Sequence, residues 1–253
     1  MAIAVNQTPL AEVDSLRRRL GFWLRNDAHR LLWPTRCLVC AEPGGEAWDL
    51  CPACAEAMPR LGRACRCCAL PLPGAEAAGV LCGACLAEPP PLDAVHAACL
   101  YAAPVDRLLP RFKFHEDLAA GRLLAQLMAE AFADLPRPDA LVPIPLHVSR
   151  LRRRGYDQAL ELAKPLARAL HVPLRDDLLV RVRATAAQSE RDAAARRRNM
   201  RAAFAVVPGA TLPRHVVLVD DVMTTGATLH AAARALRRAG VERIEAWVCA
   251  RVP

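Results

Sequence analysis

Four C-x-x-C pairs fall within residues 37–85: Cys37 with Cys40, Cys51 with Cys54, Cys65 with Cys68, and Cys82 with Cys85. A two-residue spacer lets two thiolates grip a single ion, and Zn²⁺ takes four such ligands in a tetrahedron. Eight paired cysteines therefore predict two closed structural zinc sites, with no coordination position left open for catalysis. A redox C-x-x-C would stand once, beside a strand–helix unit, and four in succession argue against it. The segment is poor in large apolar side chains, so metal has to substitute for a core. The gaps between pairs are 10, 10 and 13 residues. Near-regular gaps favour sequential ribbons, with the first two pairs on one ion and the last two on the other. A cross-braced arrangement joining pairs one and three is the alternative. Cys67 is a spare neighbour able to replace Cys68, whereas Cys99 and Cys249 stand among apolar residues and read as core.

The chain is long enough, at 253 residues, for one large domain and a small one. With 54% hydrophobic and 24% charged residues it is not a disordered protein. No apolar run approaches the ~20 residues that span a bilayer. The first twenty residues lack the basic-then-apolar order of an export signal, so a reducing cytoplasm is expected, where cysteines bind metal rather than pair. The formal charge of +8 falls to about +4 once two tetrathiolate zinc centres are counted at −2 each. All but two of the 34 basic residues are arginine, the exceptions being Lys113 and Lys164. A GC-rich genome produces the same bias, so charge alone does not identify nucleic acid as a partner.

Residues 14–33 place Leu16, Leu20, Trp23, Leu24 and Leu31 near one helical face. Gly21 and Asp27 interrupt that face, which favours a helix packed on its own protein over one lying peripherally on the inner face of a membrane. Pro34 ends it. The stretch 87–93, AEPPPLD, is a stiff linker and the best domain boundary. It divides an extension over 1–34 and a double zinc ribbon over 35–86 from a larger domain over 94–253. Beyond the linker, helical segments such as 117–135 and 157–172 alternate with strand-like ones at 139–146, 215–222 and 241–252. Alternation of this kind predicts an α/β fold with a mostly parallel sheet flanked by helices.

Within that alternation, residues 216–236 read VVLVDDVMTTGATLHAAARAL. Four apolar residues suit a strand buried on both faces, and ligands of open α/β sheets bind at the carboxyl ends of such strands. Asp220 and Asp221 fall at that end, where they suit two ribose hydroxyls, directly or through Mg²⁺. The amides and hydroxyls of Thr224, Thr225, Gly226, Ala227 and Thr228 open the following helix and suit a phosphate.

This string resembles the phosphoribosyl pyrophosphate (PRPP) motif of type I phosphoribosyltransferases. Three further segments narrow the resemblance to the ComF family of competence proteins. Residues 143–163, PIPLHVSRLRRRGYDQALELA, are similar to its proline-pair and Arg-Gly-aromatic-Asn-Gln signature, with Asp157 where asparagine is usual. Residues 185–204 resemble its Gln…Arg-x-x-Asn…Ala-Phe segment through Gln188, Arg196, Asn199 and Phe204. The cysteine pairs resemble its amino-terminal double zinc ribbon. The resemblance covers roughly residues 31–250.

It implies a phosphoribosyltransferase-like domain over 94–253, with Thr224–Thr228 on the 5′-phosphate and Asp220 and Asp221 on ribose and Mg²⁺. Pro143, Ile144 and Pro145 would approach pyrophosphate. Gln188, Arg196, Asn199 and Arg154 would belong to the mobile, anion-binding side of the site. The implied partners are PRPP or a related nucleotide, single-stranded DNA, and competence-machinery proteins such as a helicase or DNA channel. Two functions stay open: a binding module for PRPP and single strands in DNA uptake, or a Mg²⁺-dependent phosphoribosyltransferase with an unidentified acceptor. Aromatic residues make up only 4% of the chain, which counts against base stacking as the main source of DNA affinity. His115 and His147 lack visible partners and receive no role.

Overall fold

In the computed structural model, residues 35–45, 48–72, 74, 79–182 and 203–253 are described. The expected helix at 14–33 and the segment bearing Gln188, Arg196 and Asn199 lie outside them. The chain divides into two compact units, Met1–Glu56 and Ala57–Pro253. The division falls between the second and third cysteine pairs. The proline-rich stretch at 87–93 lies inside the second unit, where the Asp93 carboxylate accepts from Ile244 N at 2.7 Å.

Among the described residues of the first unit there is a short helix, α1 (Pro52–Glu56), that carries Cys54 of the second cysteine pair. The second contains, in order, α2 (Gly83–Ala87), β1 (Ala94–Leu100), α3 (Val105–Phe114), α4 (Leu118–Ala131), β2 (Ala140–Pro143), α5 (Val148–Arg154) and α6 (Gln158–Leu170). It continues with β3 (Leu179–Arg181), β4 (Phe204–Val206), β5 (His215–Met223), α7 (Ala227–Ala239) and β6 (Arg243–Arg251). Strands β1, β6, β5 and β2 form one sheet in that order, and all three pairings are parallel. Strands β3 and β4 pair antiparallel as a separate ribbon. The expected α/β class is what folds.

Local chemistry explains the helix starts. Asp117 caps α4 by accepting from Ala120 N at 2.9 Å, and Asp157 caps α6 by accepting from Leu160 N at 3.2 Å. His147 caps α5 through Ser149 N, a structural role for a histidine that sequence left unassigned. Helix α7 ends at Gly240 in the left-handed region, as a C-terminal glycine does. Helix α6 continues through Pro165. The run Val216–Val219 is fully buried, and Cys249 and Cys99 are core residues in β6 and β1, their thiols pushed up by burial.

Gly121 sits inside α4, where glycine costs roughly 1 kcal/mol of helix stability relative to alanine. A Cβ there would lie 2.4 Å from the buried Phe112 ring of α3. The glycine is what lets the two helices approach. Gly121→Val should therefore overpack this contact by about 1–3 kcal/mol. In a chain of this size that corresponds to a fall of roughly 2–12 °C in melting temperature, measurable by calorimetry. An unchanged melting temperature would mean that α3 shifts freely.

Candidate functional site

The sheet brings the carboxyl ends of β2 and β5 side by side, with Ile144 N donating to Val219 O at 2.9 Å. A cavity of about 160 Å³ opens beside them, lined by Ile144, Leu146, Asp220, Asp221 and Thr228 among others. Strand β5 runs on to Met223, so both aspartates sit inside its last paired stretch rather than beyond its end. Asp221 is buried, and its Oδ2 lies 2.6 Å from Lys113 Nζ. Asp220 Oδ1 accepts from the Asp221 amide and Asp221 Oδ1 from the Val222 amide, each at 2.8 Å. Burial first, and then the neighbouring Asp221 charge, push the Asp220 carboxyl well above the usual carboxylate range.

A third carboxylate lines the same cavity. Asp157 Oδ2 accepts from Leu146 N at 2.8 Å, which ties the turn after β2 to the start of α6. Burial raises its pKa against the opposing effect of the Leu146 and Leu160 amides. Facing these acids are Lys113 from α3, Arg150 and Arg154 from α5, and Arg181 from β3. Burial and the nearby Arg150 charge push Arg181 downward, as expected of cations gathered around one space. Arg154 Nη1 donates to Gln158 Oε1 at 2.8 Å, and its guanidinium lies 5.3 Å from the exposed Phe114 ring. The Gln158 side-chain nitrogen is buried with no hydrogen-bond partner among the described residues, a donor that a ligand in the cavity can satisfy.

The residues nominated for phosphate follow β5 and open α7. Thr224 and Thr225 are exposed, and Gly226 precedes α7 at φ 74° with no side chain capping the helix. The first amides of α7 are thus left uncapped by any side chain, and the helix dipole favours an anion at this end. A Cβ on Gly226 would meet only the movable ends of side chains, the nearest being Met223 Cε at 2.5 Å, so it is the left-handed backbone that calls for glycine. Of the residues nominated from sequence, Asp220, Asp221, Thr228, Ile144 and Arg154 line the cavity. Pro143, Pro145, Thr224, Thr225, Gly226 and Ala227 adjoin those residues in the chain but do not line it. Lys113 and Arg150 received no role from sequence. A signal for Lys113 existed: it is one of two lysines in an otherwise arginine-only set of cations.

The cysteines gather as two tetrads, Cys37–Cys40–Cys51–Cys54 in the first unit and Cys65–Cys68–Cys82–Cys85 in the second. Within each, the sulfurs lie within 4.8 Å of one another. Backbone amides also point at sulfur, Cys54 N at Cys51 Sγ (3.4 Å) and Cys82 N at Cys65 Sγ (3.3 Å). Burial raises Cys37 and Cys65, but amide donors outweigh it and bring them to about 6 and about 7. Burial and neighbouring thiols push Cys54 and Cys85 the other way. Four crowded thiols that cannot all ionise unaided fit a divalent cation with soft-ligand preference, and the grouping is the sequential one.

A family profile described as phosphoribosyl transferase domain matches residues 156–253, and one described as double zinc ribbon domain matches residues 28–99. The chain is 39% identical over 178 residues to competence protein F of Haemophilus influenzae, covering 67% of this chain and 78% of that protein. It is 37% identical over 226 residues to DNA utilization protein YhgH of Salmonella typhi, covering 86% and 97% respectively. It is 33% identical over 135 residues to competence protein ComFC of Bacillus subtilis, covering about half of each.

Proposed function

The chain belongs to the ComF family of competence and DNA utilization proteins, and from that premise we propose that it is a PRPP-binding module that handles single-stranded DNA during DNA uptake. The observation that carries the reading is the meeting of Asp220 and Asp221 with the uncapped start of α7 at one cavity mouth. Carboxylates recognise hydroxyls, and bare amides recognise phosphate. In this reading Asp220 and Asp221 take the ribose hydroxyls, and Thr224, Thr225, Gly226, Ala227 and Thr228 take the 5′-phosphate. The pyrophosphate lies toward Pro143, Ile144, Pro145 and Arg154, with Gln188, Arg196 and Asn199 on the closing side.

The cavity, at about 160 Å³, is smaller than the roughly 300 Å³ at which small-molecule pockets begin. It suits the polar centre of a ligand whose phosphate end extends over the exposed threonines. The adjacent Asp220 and Asp221 also suit a hard divalent cation that keeps waters of its own. Mg²⁺ would be held by Asp220 and Asp221 and would neutralise pyrophosphate oxygens. Lys113 already supplies one positive charge to Asp221.

The second reading, a phosphoribosyltransferase acting on an unidentified acceptor, is favoured by one observation. Lys113, Arg150, Arg154 and Arg181 surround the acids, and such a set stabilises a departing pyrophosphate. The division of labour proposed is a double ribbon over 35–86 as scaffold and the 94–253 region as the ligand-binding part. No helix of the described residues is long and apolar enough to cross a membrane.

Calorimetric titration with PRPP, with and without Mg²⁺, tests the reading. Saturable one-site binding, tighter with Mg²⁺, is the expected result. Absence of heat and of any thermal shift in both conditions would remove PRPP from the proposal. Pyrophosphate release on adding a base or nucleotide would favour the enzyme.

A further inference from the structure

A second cavity in the Ala57–Pro253 unit, about 770 Å³ in volume, shares no lining residue with the Asp220/Asp221 site. One wall is the stretch 60–66 leading into the second cysteine tetrad, and the other is β1 with the end of α4. Backbone bonds hold the walls together: Leu61 N donates to Ala98 O at 3.1 Å, and Val95 N to Arg66 O at 2.8 Å. Arg60, Arg63 and Arg66 recur at every third residue of the first wall, and all three are exposed. Gly62, between the first two, has nothing within 4 Å of where a Cβ would stand, which keeps that rim open. On the facing wall the His96 and Phe132 rings meet edge to face at 6.5 Å. Burial pushes His96 downward, so at neutral pH its ring adds surface and no charge.

Two carboxylates bear on the cavity. Glu130 Oε2 holds Arg60 Nη2 at 2.9 Å, both side chains being about half exposed, and Glu245 Oε2 lies 3.7 Å from His96 Nε2. The plainest role for the arginines is to offset the −2 charge of a filled tetrathiolate site, since Cys65 also lines the cavity. Charge compensation, however, does not need an open volume of this size. A row of cations along one side of a groove suits a linear polyanion, whereas a single phosphate calls for donors that converge on one point.

We infer that this cavity is the groove that holds the sugar–phosphate backbone of a single-stranded nucleic acid, with Arg63 and Arg66 on phosphates and Arg60 at the rim. The inference rests on the nucleic-acid half of the function proposed above and gives it a place separate from the PRPP site.

Fluorescence anisotropy with a labelled oligothymidine, using the full zinc-loaded chain at several salt concentrations, tests it. Arg63→Ser with Arg66→Ser should weaken binding roughly tenfold and make the dependence of log K on log salt shallower by about 1.4, since each phosphate no longer neutralised accounts for about 0.7 of that slope. Glu130→Gln should tighten binding, because it removes a rim carboxylate and releases Arg60. PRPP titration in the same preparations should be unchanged in both variants. Unchanged oligothymidine affinity in both variants would overturn the groove while leaving the functional reading intact. Wild-type protein that binds PRPP but no oligothymidine would overturn the nucleic-acid half of that reading and the groove with it. Tighter binding of a duplex than of a single strand would also overturn the groove. If the double variant loses zinc, Glu130→Gln decides: a gain in affinity supports the groove and no gain overturns it.

Discussion

Replacing Asp220 and Asp221 together by asparagine is expected to weaken PRPP binding by about two orders of magnitude or more in a calorimetric titration. Each carboxylate is proposed to make charge-assisted contacts worth about 1.5–3 kcal/mol, and every 1.4 kcal/mol is tenfold. The two positions should part company in the ligand-free protein. Asp220 is held against its charge by burial and by Asp221, so Asp220→Asn should raise the melting temperature at neutral pH. Asp221 instead pairs with Lys113, and Asp221→Asn leaves that ammonium without its partner. It should lower the melting temperature. The effect of Asp220 carries a pH signature. An acid whose folded pKa is raised binds its proton more tightly when folded, so its stabilising contribution is complete below about 4 and is lost as pH rises through the folded value. The melting-temperature advantage of Asp220→Asn over wild type should therefore be near zero at pH 4 and widen toward pH 7. A constant gap across that range, with unchanged PRPP affinity, would mean that the aspartates serve the strand and not a ligand.

What sequence revealed of this site, and what it hid, follows the range of the interactions. Cys37 and Cys40, or Cys82 and Cys85, are joined by a two-residue spacer, so their shared ligand is a local property readable from spacing. Residues 216–228 are likewise one strand, one turn and one helix start, and their chemistry is visible in a single string. Lys113, Arg150 and Arg181 reach the same cavity from α3, α5 and β3, and only the folding of those elements against the sheet makes them neighbours. The same holds for Gly121, whose need to be glycine comes from Phe112 on another helix. Asp157 was visible as a departure from a pattern, but its part in tying Leu146 to α6 was not. The union of the second tetrad with the sheet is the least local feature. Its clearest bond joins Arg251 to Cys68, 183 residues apart.

That bond underlies the other large effect expected, an asymmetry between the two zinc sites. Arg251, nearly buried at the end of β6, donates through Nε to Cys68 O at 2.8 Å and through Nη1 to Met223 O at 3.2 Å and to Val252 O. Cys68 belongs to the second tetrad, and Met223 immediately precedes Thr224 and Thr225. Ala69 lies in the main hydrophobic core, with Cys68 packed against it, and Val95 N is bonded to Arg66 O. A cysteine knuckle of the second tetrad is thus fastened to β1, to β6 and, through one guanidinium, to the residue that leads into the turn before α7. The first tetrad belongs to the other compact unit. Cys51→Ser should remove one of two zinc ions by elemental analysis while leaving the main thermal transition and PRPP affinity close to wild type. Cys65→Ser should also remove one ion, but structural zinc contributes on the order of 10 kcal/mol to the folding of small sites. Losing even a third of that from the larger unit should lower its melting temperature by roughly 10 °C. PRPP affinity should fall with it, because Cys68 O no longer fixes Arg251 against Met223 O. Arg251→Met separates the two consequences: with both zinc ions retained, it should weaken PRPP binding through the turn alone. Equal effects of Cys51→Ser and Cys65→Ser on the main transition would show that the two metals act as one scaffold and that the Arg251 connection transmits nothing.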